Sequence, residues 1–424
     1  GYWNSVHRRE GQGLFVKADE DKQLIEVYAD GALRKRIRMA RKLSNTMYWL
    51  PTPPFEYGVG SPPQGPCPRT NHTAVLAGTP SQPRVVLLGG RTTHADGRPL
   101  MLGDLWVLDL LSVTWLQPPV TGTAPPPLHS HACVVAGKIL YVLGGLTDAM
   151  ETSATVYALD LERMHWYVVP CGGPAPVALA GHTATLLRGS IYVTHGRAVF
   201  ALDLASHTWR NIEPHHAIRC APRALTAHAA VAHEGLLYVF GGEAGVSQTE
   251  SGVEFPACSN EVRVFDPDTE TWSTIRPRRS AFTDNYTPPA STTAVPGQRE
   301  AAPWEAACAT GALLGDADTA RAQHAAVMVS ADEVLLVGGW TCRNPSLHEV
   351  DRSYLADVLV FNLRTHEWRA PWIKYPVCPP RGVHTAVCAL GWVWVMGGTN
   401  YAVGERGMWE LSLLHVGPDA REST

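Results

Sequence analysis

The sequence predicts an all-β fold: a ring of six four-stranded antiparallel sheets, or blades. Three observations predict it. First, the apolar runs are short. Between Leu128 and Val169 there are four, at His131–Val135, Ile139–Leu143, Val156–Leu161 and Trp166–Val169, separated by Ala136-Gly137-Lys138, by Gly144-Gly145 with a polar loop, and by Glu162–His165. Runs this short, rich in Val, Tyr and Leu and bounded by glycine and polar turns, read as strands, and four in series make one meander. Second, the unit recurs. A Gly-Gly pair closes an apolar run at Gly89-Gly90, Gly144-Gly145, Gly241-Gly242, Gly338-Gly339 and Gly397-Gly398, and His195-Gly196 is a worn sixth copy. Third, the flanking residues stay in phase. A His opens each unit at His72, His131, His182, His228, His324 and His384. In five units a Trp follows the third strand's Asp or Asn by six residues, at Trp115, Trp166, Trp209, Trp272 and Trp368. A lone sheet cannot bury both faces, so units of this period stack into a propeller or array.

Taken in order, residues 1–45 form an N-terminal extension. Leu24–Tyr28 and Leu33–Met39 flank Asp30-Gly31, a two-residue hairpin signal. The return strand and the residues after it carry Arg34, Lys35, Arg36, Arg38, Arg41 and Lys42, six cations in nine positions. Such a run is either a solvated edge that resists aggregation or a docking arm for an acidic partner, RNA phosphate included. No aromatic is interleaved to stack bases, which weakens the RNA reading. Residues 46–415 are the ring. The last unit ends at Leu413 without its Trp, whereas Thr46–Pro51 carries an orphan Trp49. That stretch is expected to supply the outer strand of blade six and to clasp the ring shut. Blade three has essentially no loop after its second strand, and residues 276–320 are an insertion rich in Ala, Thr and Pro, expected to be irregular. Residues 416–424 are a tail.

The Gly-Gly pairs, the later Trp, and Arg69, Arg321 and Arg381 three residues before their His resemble the Kelch-repeat family over nearly the whole chain. The resemblance implies a six-bladed propeller serving as a docking platform, for example in cytoskeletal or axonemal assemblies. It does not imply catalysis here. Some relatives are copper radical oxidases with a Tyr–Cys pair and two His, but that constellation has no counterpart. Glu349 and Asp351 beside His348 only imitate the iron-binding rim of others.

Composition narrows the function classes. The chain has 424 residues, 45% apolar and 17% charged, with a formal charge of −4, which argues against overall attraction to nucleic acid or membrane. The nine cysteines are odd in number, scattered and without a CxxC, so reduced thiols are expected, in an intracellular, cytoplasmic or cytoskeletal setting; an organelle is also compatible. No membrane-length apolar run, GxSxG, HExxH or GxxxxGK[ST] occurs. The reading is therefore non-catalytic, without metal, cofactor or small-molecule substrate. The six in-phase His are expected to be structural, because one per blade places them too far apart for a single ion. The pair His215-His216 and the pair His129 and His131 read as chance clusters.

The loops indicate where function lies. Strands alternate in direction, so the loop after strand two and the linker after strand four share one rim. All the long ones, 52–67, 91–103, 243–260, 276–320 and 340–356, fall there. Binding commonly resides in loops on a rigid scaffold. The predicted partner-binding residues are Arg91, His94, Arg98, Glu243, Trp340, Arg343, His348 and Arg352. The predicted partners are proteins of a multi-subunit assembly, or RNA through residues 34–42.

Overall fold

The computed structural model describes residues 14–19, 24–29, 32–38, 46–51, 65–94, 96–177, 179–212, 225–248, 254–275, 278–279, 319–342, 352–374, 378, 380–400 and 411–416. These residues contain no α-helix, hence none long and apolar enough to cross a membrane. The N-terminal extension is a three-stranded antiparallel sheet of β1 (Leu14–Asp19), β2 (Leu24–Ala29) and β3 (Ala32–Arg38), with β2 central. Ala29 lies opposite Ala32, as a two-residue hairpin loop requires. The partner strand β1 lies outside the sequence expectation. β4 (Thr46–Pro51) comes next.

Blade one is β5 (Thr73–Thr79), β6 (Gln82–Leu88), β9 (Leu105–Asp109) and β10 (Thr114–Leu116), with the hairpin β7 (Arg91–Thr93) and β8 (Pro99–Met101) between its second and third strands. After β11 (Thr121–Gly122), blade two is β12 (Ala132–Ala136), β13 (Ile139–Leu143), β14 (Val156–Asp160) and β15 (His165–Val169). Blade three is β16 (Thr183–Leu187), β17 (Ser190–His195), β18 (Ala198–Asp203) and β19 (Thr208–Ile212). Blade four is β20 (Ala229–His233), β21 (Leu236–Phe240), β24 (Val262–Asp266) and β25 (Thr271–Ile275), with the hairpin β22 (Glu243–Gln248) and β23 (Glu254–Cys258). After β26 (Arg278–Arg279), blade five is β27 (Ala325–Met328), β28 (Glu333–Val337), β31 (Val358–Asn362) and β32 (Glu367–Arg369), with the hairpin β29 (Trp340–Cys342) and β30 (Arg352–Tyr354). After β33 (Trp372–Lys374), blade six is β34 (Thr385–Ala389), β35 (Trp392–Met396), β36 (Ser412–His415) and the early strand β4. The first strands stand in a cycle, β5, β12, β16, β20, β27 and β34, each beside the next and β34 beside β5.

Two sets of backbone hydrogen bonds join the blades around this cycle. In the first, the residue before each repeat His donates to its counterpart one blade back. Asn71 donates to Val383, Val383 to Gln323, Gln323 to Ala227, Ala227 to Gly181, Gly181 to Ser130 and Ser130 to Asn71, at 2.8–3.3 Å. All six residues have positive φ, between 52° and 65°. In the second, the later residue of each Gly-Gly or His-Gly pair donates forward. Gly90 donates to Leu128, Gly145 to Leu179, Gly196 to Leu225, Gly242 to Arg321, Gly339 to Arg381 and Gly398 to Arg69. The pairs are glycine because both positions are crowded. A Cβ on Gly144 would sit 2.7 Å from the His182 Cε1 of the next blade, and one on Gly145 would sit 2.7 Å from the His131 Cβ of its own.

Between consecutive blades lies an apolar cluster, six in all. At the junction of blades four and five, Phe240 and Val262 meet Leu336, Phe361 and Trp368; at six and one, Trp392 and Trp394 meet Val85 and Trp115. Trp115, Trp166, Trp209 and Trp368 are buried as expected. Trp272 is only half-buried, set against Phe265 of its own blade with ring centroids 5.2 Å apart. The third-strand Asp or Asn also has its reason. Asp109, Asp160, Asp203 and Asn362 accept backbone N–H bonds from the turn that follows, an Asx-type closure.

The linkers contribute outer strands. β11 runs parallel to β15, β26 to β32 and β33 to β4, covering exposed edges. β4 pairs antiparallel with β36 so that Trp49 lies opposite Leu414. That is the register in which Trp115 faces Leu108 and Trp166 faces Leu159. Met47 is fully buried in the cluster between blades five and six; the Trp49 side chain lies outside the described residues.

Val383 is the one β-branched residue held at positive φ in the first hydrogen-bond ring, at 52°. Left-handed backbone costs an ordinary L-residue roughly 1–2 kcal/mol, and Asn tolerates it better. Val383→Asn should therefore stabilise the chain by about 1 kcal/mol, and Asn71→Val should do the reverse; urea midpoints that move in neither case would remove strain from the ring. We also propose that β4 is what clasps the ring. Deleting residues 46–51 should then abolish cooperative unfolding, and a stable monomeric deletion mutant would refute the clasp.

Candidate functional site

The rim that holds the glycine pairs carries the elaborated loops. In five blades the residue two before the repeat His forms an antiparallel bridge with the residue just after the pair, Thr70 with Arg91, His129 with Leu146, Thr226 with Glu243, Ala322 with Trp340 and Gly382 with Thr399. This ties the loop roots to the inner end of each blade. From there the hairpins β7–β8, β22–β23 and β29–β30 extend, and the last two are neighbours. Sequence reading took all three as loops. On the opposite rim the described turns within blades are tight and carry ion pairs such as Arg188–Asp268 at 2.5 Å and Arg364–Asp332 at 3.1 Å.

The predicted partner-binding residues are not equally available. His94 and Arg98 are exposed in the β7–β8 hairpin, with the Arg98 guanidinium on Asp96 at 2.6 Å. Arg91 and Glu243 are half-buried at loop roots. Trp340 is a correction, because it is 0% exposed. It follows Gly339 directly, so its bridge to Ala322 draws it into the interior and no partner can reach it. Arg343 and His348 lie outside the described residues, and of Arg352 only the pairing with Cys342 is described. In the basic arm, Arg34, Lys35, Arg36 and Arg38 lie on the edge strand β3, while Arg41 and Lys42 lie outside the described residues. Sequence reading missed a groove of about 540 Å³ between the β7–β8 hairpin and the 147–149 loop of blade two. Its one sequence signal is a methionine at the tip of a polar loop, in Thr147-Asp148-Ala149-Met150.

The six repeat His are all buried. Three of them bond across the blade junctions. The His131 Nε2 is 2.8 Å from the Thr73 hydroxyl, the His72 Nε2 3.0 Å from Thr385, and the His228 Nε2 2.7 Å from Thr194 and 3.1 Å from Thr183. At the other three junctions the matching residue is Ala132, Ala229 or Ala325, and His182, His324 and His384 pack without a hydroxyl. Burial, joined by neighbouring His and Arg charges, holds every one of these imidazoles neutral. It lowers His131 and His228 to about 4 and His182 and His384 to about 3, with His72 and His324 also well below the usual value. Three blades replace a leucine beside this ring with arginine. Arg69 and Arg321 each hold the first glycine's carbonyl, at 3.0 and 3.1 Å, and grip Asp104 or Asp357 with two bonds; Arg381 holds the Gly397 carbonyl. Burial would raise Asp104, but the Arg69 guanidinium outweighs it and keeps that carboxyl below the usual range.

Among the described residues one group could offer three ligand atoms to a metal, His233, Glu234 and Asp332 on the tight-turn rim. The Arg364 guanidinium already lies 3.2 Å from Glu234 and 3.1 Å from Asp332, so a cation occupies the space an ion would need.

Six blades, glycine pairs at five of them and Trp in register decide the classification. The chain belongs to the Kelch-repeat family. It matches the KLHDC2/KLHL20/DRC7 Kelch-repeats domain over residues 40–196 and the Kelch motif over residues 224–278. It is similar to Kelch domain-containing protein 3 of Homo sapiens, 26% identical over 55% of this chain and 61% of that protein. It is also similar to Host cell factor of Drosophila melanogaster, 28% identical over 48% of this chain and 16% of that protein. The Leucine-zipper-like transcriptional regulator 1 homolog of the same fly is 24% identical over 63% and 27%. The chain thus spans about three-fifths of the first relative and far less of the other two. Kelch-repeat propellers are typically non-enzymatic protein-interaction modules, and none of these matches indicates a catalytic family.

The neutral Kelch histidines set the acid limit of the fold. A buried neutral imidazole resists protonation, so below the ordinary value of 6.5 the unfolded chain binds more protons than the folded one. Stability is then fully present above about pH 6.5 and falls as pH drops toward the folded values near 3–4. Each histidine removes about 1.4 kcal/mol per pH unit in that window. From pH 7.5 to 5.5 the six together remove on the order of 8 kcal/mol, comparable with a typical stability of roughly 5–15 kcal/mol. The melting temperature should be level above pH 7 and drop steeply below 6.5; a level profile down to pH 5 would contradict this.

Proposed function

We propose that this Kelch propeller is a non-catalytic scaffold subunit of a large assembly, cytoskeletal or axonemal in kind, that binds other proteins through its glycine-pair rim. The observation that carries this reading is the asymmetry of the two rims. One has tight turns locked by ion pairs, and the other projects three two-stranded hairpins from blades one, four and five. Rigid blades presenting unequal hairpins suit recognition of one shaped surface. The reading includes an intracellular location and no cofactor, membrane or small-molecule substrate. A second reading, a component of a ribonucleoprotein such as an organellar ribosome, rests on Arg34, Lys35, Arg36 and Arg38 lying on an edge strand.

One experiment separates them. Residues 343–351 are replaced by a Gly-Ser turn, leaving Trp340–Cys342 paired to Arg352–Tyr354, and proteins captured at low salt by this variant and by the unaltered chain are identified by mass spectrometry. The variant should melt as the unaltered chain does and lose the partner. Undiminished recovery of the same partners would count against the rim. RNA binding that falls steeply with salt and disappears on charge reversal of Arg34, Arg36 and Arg38 would favour the ribonucleoprotein.

A further inference from the structure

The groove between blades one and two has walls of distinct chemistry. Pro99, Leu100 and Met101 of β8 form one side, Pro126 and Pro127 of the incoming linker another, and Thr147, Asp148 and Ala149 the third. Its volume of about 540 Å³ falls within the span of pockets that hold small ligands or a few side chains. The apolar surface continues beyond it. Leu100 is 37% exposed, Met150 63% and Val177 83%, and the Thr152 hydroxyl bonds the Val177 carbonyl, so the last two share one stretch of rim. Isolated exposed apolar residues need no explanation, but a run of them beside a groove marks an interaction surface. Methionine suits such a surface because its flexible, polarisable chain adapts to what it meets.

Charge selects the occupant. The one guanidinium lining the groove, that of Arg98, donates two hydrogen bonds to Asp96, and the Arg98 backbone N–H donates a third. Asp148 on the wall and Glu151 at the loop's end are exposed and enter no ion pair among the described residues. His94 is the remaining polar side chain of the wall with a titratable group. The groove therefore couples an apolar floor to uncompensated negative charge. A complementary ligand brings apolar side chains for the floor and cations for Asp148 and Glu151. We propose that this groove binds an extended segment of a partner protein in which apolar residues alternate with lysine or arginine. The proposal deepens the protein-interaction reading and rests on it.

Fluorescence polarisation of the full chain with three labelled decapeptides tests it. One alternates leucine with lysine, one leucine with glutamate and one serine with lysine. The leucine–lysine peptide should bind at least tenfold more tightly than either other. A chain carrying Asp148→Lys with Glu151→Lys should lose that preference tenfold or more and favour leucine–glutamate; Leu100→Asp should weaken both leucine peptides. These positions are exposed, so melting temperatures should not move. Equal binding of the leucine–lysine and serine–lysine peptides, or no effect of the charge reversal, would overturn the assignment. If the reversed variant still captures the same partners as the unaltered chain, the groove is not the docking site while the interaction reading stands. If the unaltered chain captures no partner, that reading fails by itself.

Discussion

Two closed circuits of backbone hydrogen bonds around the axis are the constraint on which the rest depends. Each blade gives one N–H forward and one backward to its neighbours. Both donors sit where the chain must turn with positive φ. From this follow the repeat's fixed residues. The second glycine aims its N–H across the junction, and the first leaves room for the next blade's imidazole. The imidazole fills that room and, at three junctions, finds a threonine hydroxyl. At five junctions the first glycine and the following histidine fit each other, since a Cβ on that glycine would meet the imidazole. Blade three has His195 in place of the first glycine, and there Thr194 bonds His228.

The legible part of the fold was whatever this circuit forces into residue type. Glycine is required at both crowded positions, tryptophan fills the gap between blades, and Asp or Asn closes a turn, so all three recur visibly. The other half of the circuit is silent in sequence. Its six residues are Asn71, Ser130, Gly181, Ala227, Gln323 and Val383, with no shared chemistry, because the bond uses only backbone. The hairpins β7–β8, β22–β23 and β29–β30 were equally hidden, since each pairs only with itself and obeys no repeat. Trp340 misled for the opposite reason. It stands in a long loop by sequence, but its place directly after the glycine pair puts it at the blade's inner end. Distance from the pair, rather than membership of the loop, decides burial on this rim.

The same circuit separates stability from recognition. It uses backbone and buried side chains and leaves the loop tips free of structural duty. The tight-turn rim adds ion pairs across the junctions of blades three, four and five, which stiffens that side further. What varies between blades is then confined to the other rim. Blade three has a two-residue connection, blades one, four and five project hairpins, and blade two ends its short loop in Met150. A surface uneven in this way has one orientation for a partner, which six equal loops would not provide.

Electrostatics points to the same side. The basic residues of the inner ring, Arg69, Arg321 and Arg381, are buried and matched by carboxylates, glycine carbonyls or the Ser412 hydroxyl. Asp104 and Asp357 neutralise Arg69 and Arg321 where they lie. Arg98 is matched by Asp96, whereas Asp148 and Glu151 stand at the groove with their charge exposed. Pairing at the surface contributes little to stability, so leaving these two acids unpaired costs the fold little. It does determine what approaches, because charge at a rim governs encounter and partner choice more than raw affinity. The apolar floor supplies the part of binding that persists in salt, and the acids decide which apolar segment is admitted.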